Sequence, residues 1–298
     1  MLNKIRGLIR LTRYRDYLAF VTITTLLGAI AADASLSWKL ILVLIANQLA
    51  VGFAFMINDV EDAEDDAINP AKLNRNPVSC AAVSRRDGYI YSFIVAGLSA
   101  LTYAFLGWVP FILGIISLLT GFYYSWKPVR LKNMFLIDMF SHCFMLAGLQ
   151  YLPAFYTFQN QMTTKGFFPL LFVILFSLYG ELFNELRDLE HDLKAGLRHT
   201  AAILGHKATF RLMVGIALIG VVAGVISLFF VDLLPVWLLI VMAVLVVFFF
   251  IPPLLKIKET KTQLELQRAF QEPIEHAAAL ALGLYFLLPP VLQMLNIR

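Results

Sequence analysis

Apolar residues in this chain come in long runs, and the polar residues are gathered into short stretches between them. Crossing a hydrocarbon core as a helix takes about 20 apolar residues. A window of that length finds nine segments, at residues 17–32, 36–57, 89–106, 109–124, 134–152, 167–183, 210–230, 234–255 and 273–297. The segment 109–124 is short, and Pro289 and Pro290 should kink the last one. The pattern predicts an all-α integral membrane protein of about nine transmembrane helices, folded as a single polytopic domain over residues 1–298. Loops at 58–88 and 184–206 cap one end.

Composition agrees. Of 298 residues, 60% are hydrophobic and 15% charged, and the mean hydropathy is +0.76. Soluble domains run at about 45–50% apolar and about 25% charged. Cys80 and Cys143 lie far apart and form neither a disulfide framework nor a zinc motif. His142, His191, His199, His206 and His276 show no metal-ligand spacing, so packing or surface roles are expected of them. Lys4, Arg6, Arg10, Arg13 and Arg15 precede the first apolar run, and Ala29-Ile30-Ala31 resembles a signal cleavage site. The basic stretch reads better as an amphipathic lead-in on the membrane surface.

The distribution of charge sets the topology. All Lys and Arg except Lys39, Lys165 and Arg298 fall before segment 1 or in the regions between segments 2 and 3, 4 and 5, 6 and 7, and 8 and 9, with Arg211 at the very start of segment 7. The positive-inside rule then places the N-terminus and those loops in the cytoplasm. Short basic loops of this kind are explained by topology, and nothing points to nucleic acid. Of the acids, only Asp33 and Asp232 fall in the outer loops. Acids contribute little to orientation, so their one-sidedness asks for another cause.

Two clusters account for most of it. Asn58-Asp59-Val60-Glu61-Asp62-Ala63-Glu64-Asp65-Asp66 ends segment 2, and Asn184-Glu185-Leu186-Arg187-Asp188-Leu189-Glu190-His191-Asp192 ends segment 6. They share a frame. Asn58, Asp62 and Asp66 are spaced by four, as are Asn184, Asp188 and Asp192, and an acid follows each asparagine (Asp59, Glu185). Spacing by four places side chains on one helix face, where like charges repel. A divalent cation reverses that sign, and Mg²⁺ takes oxygen ligands, commonly one or two carboxylates plus substrate phosphates. Segments 2 and 6 both end on the inner side, although neither cluster was used to draw the topology. Glu61, Glu64, Asp65 and Glu190 lie off the repeated face and are expected to be solvated.

At these residues the chain resembles the UbiA superfamily of intramembrane prenyltransferases. Asn58, Asp59, Asp62 and Asp66 meet the family pattern NDxxDxxxD, and Asp188 and Asp192 meet DxxxD, with Glu185 as the preceding acid and Gly196 as the following glycine. Arg75, in Asn74-Arg75-Asn76-Pro77, looks like the family arginine after the first motif. Tyr124-Ser125-Trp126-Lys127, with Arg130 beyond, looks like the tyrosine-to-lysine segment. The resemblance covers most of the chain, including the helix count. It departs at Arg13-Tyr14, where many members have Arg-Pro, and at Glu185, where Asp is commoner.

The resemblance implies a helical bundle around a central cavity. Asp62, Asp66, Asp188 and Asp192 would hold Mg²⁺, and Asn58 and Asn184 would assist. Arg75, Tyr124, Lys127 and Arg130 would meet the diphosphate of a polyprenyl donor, while Asp59 and Glu185 are candidate bases. The acceptor would be an aromatic quinone precursor or a lipid-like molecule, and some relatives cyclise terpenes instead. The chief rival outside this class is a transporter with a divalent-cation site. A transporter should carry its site at the midplane on broken helices, whereas here the only charge singled out inside a segment is Asp138.

Overall fold

A computed structural model describes residues 2–68, 70–194, 196–256 and 263–294. The side chains of 2–4, 70, 71, 191, 253–256 and 263–268 lie outside that description, as do Lys258, Lys261 and the expected end of the last segment at 297.

Over the described residues, each apolar run of the sequence is largely helical. The chain opens with α1 (Leu2–Leu11), which leaves Ile5 and Ile9 about half exposed and buries Leu11. That is the amphipathic lead-in expected of the basic N-terminus. Then come α2 (Leu18–Ala31) and α3 (Trp38–Glu61), and two short turns of helix, α4 (Ala63–Ile68) and α5 (Pro70–Leu73). The hairpin α6 (Arg85–Ala104) and α7 (Trp108–Ser125) follows. The fifth run is broken into α8 (Ile137–Cys143), a π-helical turn at Phe144–Gly148, and α9 (Leu149–Phe158). The long helices α10 (Thr164–Lys194), α11 (Thr200–Phe229), α12 (Val236–Lys256) and α13 (Gln263–Met294) complete the bundle. Among the described residues, five helices are by themselves long and apolar enough to cross a membrane: Trp38–Glu61, Trp108–Ser125, Thr164–Glu190, Thr200–Phe229 and Ala269–Met294.

Several breaks have local causes. Ser84 opens α6 as an N-cap, its hydroxyl accepting from the Asp87 backbone N–H. At the π turn, the Gln150 amide donates to the Met145 carbonyl at 2.7 Å and to Ser117 Oγ at 3.1 Å. A backbone acceptor displaced from regular pairing thus finds a partner inside the bundle.

α2 and α3 form the centre, with α2 packed on α9 and α3 on α6 and α7; α10 pairs with α11, and α12 with α13. A buried polar node ties α2, α3, α6 and α9 together. Asn47 donates to Thr25 Oγ1 at 2.7 Å and to the Gln150 carbonyl at 2.6 Å, and accepts from the Tyr103 hydroxyl at 2.5 Å. Interhelical hydrogen bonds in membranes contribute about 0.6–2 kcal/mol. Asn47→Ala removes three and is expected to lower the melting temperature in detergent by several degrees without changing the fold, as size-exclusion fluorescence would read. The outward faces are apolar, with Leu218, Val221 and Phe229 each more than 60% exposed. Such a surface suits lipid.

Candidate active site

The first acidic motif straddles the end of α3. The helix stops at Glu61 and α4 starts at Ala63, yet the i→i+4 pairing continues across the junction. The Asp62 N–H donates to the Asn58 carbonyl at 2.9 Å, and the Asp66 N–H to the Asp62 carbonyl at 2.8 Å. Asn58, Asp62 and Asp66 therefore keep a common face although the helix is interrupted. The second motif needs no such repair, because α10 runs unbroken through Asn184, Asp188 and Asp192 to Lys194.

Both motifs reach one cavity. It measures about 400 Å³ and is lined by Asn58 from the first and Asn184 from the second, with Tyr124 and Arg75 beside them. Arg13, Arg15 and Arg187 also line it, together with Asp16, Glu272 and Glu275. Four guanidinium groups in one cavity form a receptacle for an anion with several oxygens. A smaller adjoining cavity is lined by Asn58, Asp59, Asp62, Asp66, Arg75 and Asn76, with Arg13 and Lys72.

Each carboxylate already has a cationic or amide partner. Asp62 accepts from Arg130 at 3.2 Å and pairs with Lys132. Asn76 donates to Asp66 at 2.9 Å and to the Asp59 carbonyl at 2.7 Å. Asp59 is buried, 3.3 Å from the Arg13 guanidinium, and its Oδ2 has no partner among the described residues. Asp188 takes a two-point bond from its neighbour Arg187, at 3.0 and 2.9 Å. Asp192 faces His199 Nε2 at 3.2 Å, and Glu185 faces Nδ1 of the same ring at 3.2 Å. Burial alone would depress the His199 imidazole. Its hydrogen bonds to Asp192 and Glu185 outweigh burial and raise the pKa to about 10.

The remaining expected residues are placed as follows. Asn58 donates to Ser125 Oγ at 3.1 Å, and the Tyr124 hydroxyl donates to Glu181 at 3.0 Å. Arg75 lies 3.8 Å from Asp16. Lys127 and Arg130 pair with acids of the first motif: Lys127 with Glu64 at 2.7 Å, and Arg130 with Asp62 and Asp65. Glu64, Asp65 and Glu190 are exposed, as expected.

Glu61 corrects the sequence reading. It is 3% exposed and accepts from the Tyr89 hydroxyl at 2.6 Å and from the Lys127 backbone N–H at 3.3 Å. Packing of α6 against the end of α3 covers the face that spacing alone leaves open. The sequence reading also passed over Arg13, Lys132, Glu181, His142 and His199 as site residues. Arg13 occupies the left-handed region (φ 50°) at the end of α1 and places its guanidinium 4.7 Å over the Phe55 ring, inside the cavity.

A magnesium ion fits the donor types on both motifs, which offer only hard carboxylate and amide oxygens. A second grouping, Asp138, Glu185 and His199, brings ligand atoms within 4.8 Å of one another. Asp138 there is already occupied by the Thr200 backbone N–H and hydroxyl and the Met139 N–H. Its carboxylate caps the start of α11 and fixes the loop that carries His199.

The model of the UbiA prenyltransferase family matches residues 20–270. The chain belongs to that family. Among curated members, a lycopene elongase/hydratase of Haloarcula japonica is 30% identical over 167 residues, which are 53% of this chain and 52% of that protein. A digeranylgeranylglyceryl phosphate synthase of Sulfurisphaera tokodaii is 26% identical over 196 residues, 64% of this chain and 67% of that one. The match thus spans about half the length of the first and two thirds of the second. Among solved structures, a UbiA homologue from Archaeoglobus fulgidus bound to GPP and Mg²⁺ shares the fold. Its TM-score is 0.64 at 16% identity, covering 95% of this chain and 86% of that one. The UbiA fold of this chain is therefore an all-helical membrane bundle.

Proposed function

We propose that this chain transfers a prenyl group from an isoprenyl diphosphate to an acceptor within the membrane, with Mg²⁺ held by Asp62, Asp66, Asp188 and Asp192. The observation that carries the reading is the single cavity bordered by Asn58 of one motif and Asn184 of the other, with Arg13, Arg75 and Arg187 around it. When bound, Mg²⁺ would offset the charge of the diphosphate and favour loss of the leaving group. Arg75 and Arg187 would grip the diphosphate oxygens, and Lys127, Arg130 and Lys132 hold the first motif's acids in register.

The walls between helices suit the prenyl tail. Phe20, Phe55, Met145, Leu146 and Phe176 also line the cavity. Aromatic faces there would shield an allylic cation. On the topology derived from Lys and Arg, the motif end of the bundle faces the cytoplasm. The named relatives favour a lipid-like acceptor, either a glyceryl phosphate or a carotenoid, over an aromatic quinone precursor. A terpene cyclase would use the same ionising site. A transporter is disfavoured because the acids gather at one end of the bundle.

Purified protein incubated with geranylgeranyl diphosphate, Mg²⁺ and a panel of glyceryl phosphate, carotenoid and phenolic acceptors should yield a prenylated product by mass spectrometry. EDTA should abolish it. Equal yield in EDTA, or diphosphate release with no product from any acceptor, would refute the proposed transfer.

A further inference from the structure

One turn along α10 from Asn184, a polar group built around Glu181 and His142 adjoins the cavity. Tyr124 of α7, His142 of α8 and Glu181 of α10 meet there. The Glu181 carboxylate is buried behind the other two. Its Oε1 accepts from the Tyr124 hydroxyl at 3.0 Å, and its Oε2 lies 3.2 Å from His142 Nε2. The Tyr124 and His142 rings stand 5.9 Å apart, and both line the cavity. His142 Nδ1 is buried and has no hydrogen-bond partner among the described residues.

Ionisable groups inside a membrane are costly and by default mark function. With Nε2 3.2 Å from the Glu181 carboxylate, the tautomer that turns its N–H toward Oε2 leaves Nδ1 as a lone pair. The arrangement is that of a base oriented by a carboxylate, the carboxylate also steadying the imidazolium once a proton arrives.

We propose that His142 is the base that takes the proton of a hydroxyl acceptor, with Glu181 as its positioning residue. The inference rests on the prenyl-transfer reading and gives the acceptor a chemical class, an alcohol or phenol O–H. The allylic C–O bond breaks and its electron pair leaves with the diphosphate. The acceptor oxygen supplies the pair for the new C–O bond, and its proton passes to Nδ1. No oxidation or reduction is involved. Asp59 and Glu185 are placed less well for the task, since Asp59 faces Arg13 and Glu185 is bound by His199 and the Ala201 N–H.

The full-length protein is assayed with geranylgeranyl diphosphate and Mg²⁺, reading diphosphate release and ether product in parallel with a panel of hydroxyl acceptors. For His142→Ala the ratio of product to diphosphate released should fall about 10²-fold or more, and added imidazole should restore part of it. His142→Asn, which fills the site without a base, should fall similarly. Glu181→Gln should lower kcat for transfer more than it changes the acceptor KM. An unchanged ratio in His142→Ala and His142→Asn would overturn the proposal. So would a parallel loss of release and product that imidazole does not relieve, because that marks a packing role. Wild-type protein that releases no diphosphate with Mg²⁺ present would overturn the prenyl-transfer reading itself, and this inference with it.

Discussion

Asp62→Ala and Asp188→Ala are each expected to lower prenyl transfer by about 10²–10³-fold or more, the scale of losing one preorganised electrostatic contact to developing charge. Asp62 is contributed from the end of α3 and Asp188 from α10, more than a hundred residues away in sequence. If the two serve one ion–diphosphate complex, the double variant should be little worse than either single one, because groups acting as a unit are not additive. Independent roles would instead multiply the losses. Removing Asp62 also leaves Arg130 and Lys132 without their partner. Asp62→Asn, which keeps volume and hydrogen bonding, should therefore be assayed beside it, with circular dichroism to confirm that both variants fold.

Gly28→Ala should cost about 3 kcal/mol, at the upper end for overpacking. A Cβ at Gly28 would stand 2.4 Å from the Tyr151 carbonyl oxygen and 3.3 Å from Ala154 Cβ. The first obstacle is backbone, so α2 and α9 must move apart at the centre of the bundle. Gly97 gives the contrast, since a Cβ there meets nothing within 4 Å. Gly97→Ala should be neutral or stabilising by about 0.5–1 kcal/mol through helix propensity. Melting curves in detergent compare the two; equal midpoints would show that α2 and α9 are not so closely packed.

The fold was legible because a bilayer leaves the backbone few choices. Each apolar run had to pair its own hydrogen bonds, and each became helix. The fifth run was the least readable. Its π turn depends on the Gln150 amide reaching Met145 and Ser117, which no window of hydropathy reports. In the site, Asn58 and Asn184, which lead the shared frame, line one cavity, while Asp62 and Asp66 line the smaller one beside it. Glu61 was misread because spacing describes one helix and not the α6 residues that cover it. Arg13 was counted as a topological charge, although it reaches Asp59 and the cavity. Glu181 and His142 are single polar residues within apolar runs. Glu181, like Asp138, lies inside an apolar run, but its pairing with Tyr124 and His142 exists only once α7, α8 and α10 have packed.

The central claim is that acids from two distant helices share one ion-bound diphosphate. Crystals grown with Mn²⁺ and a non-hydrolysable prenyl diphosphate analogue test it most directly through anomalous scattering. The account predicts manganese peaks bridging Asp62 and Asp66 to Asp188 and Asp192 through the diphosphate, in the cavity lined by Asn58, Asn184 and Arg75. Manganese bound at one motif alone, or among Asp138, Glu185 and His199 with the diphosphate elsewhere, would contradict it.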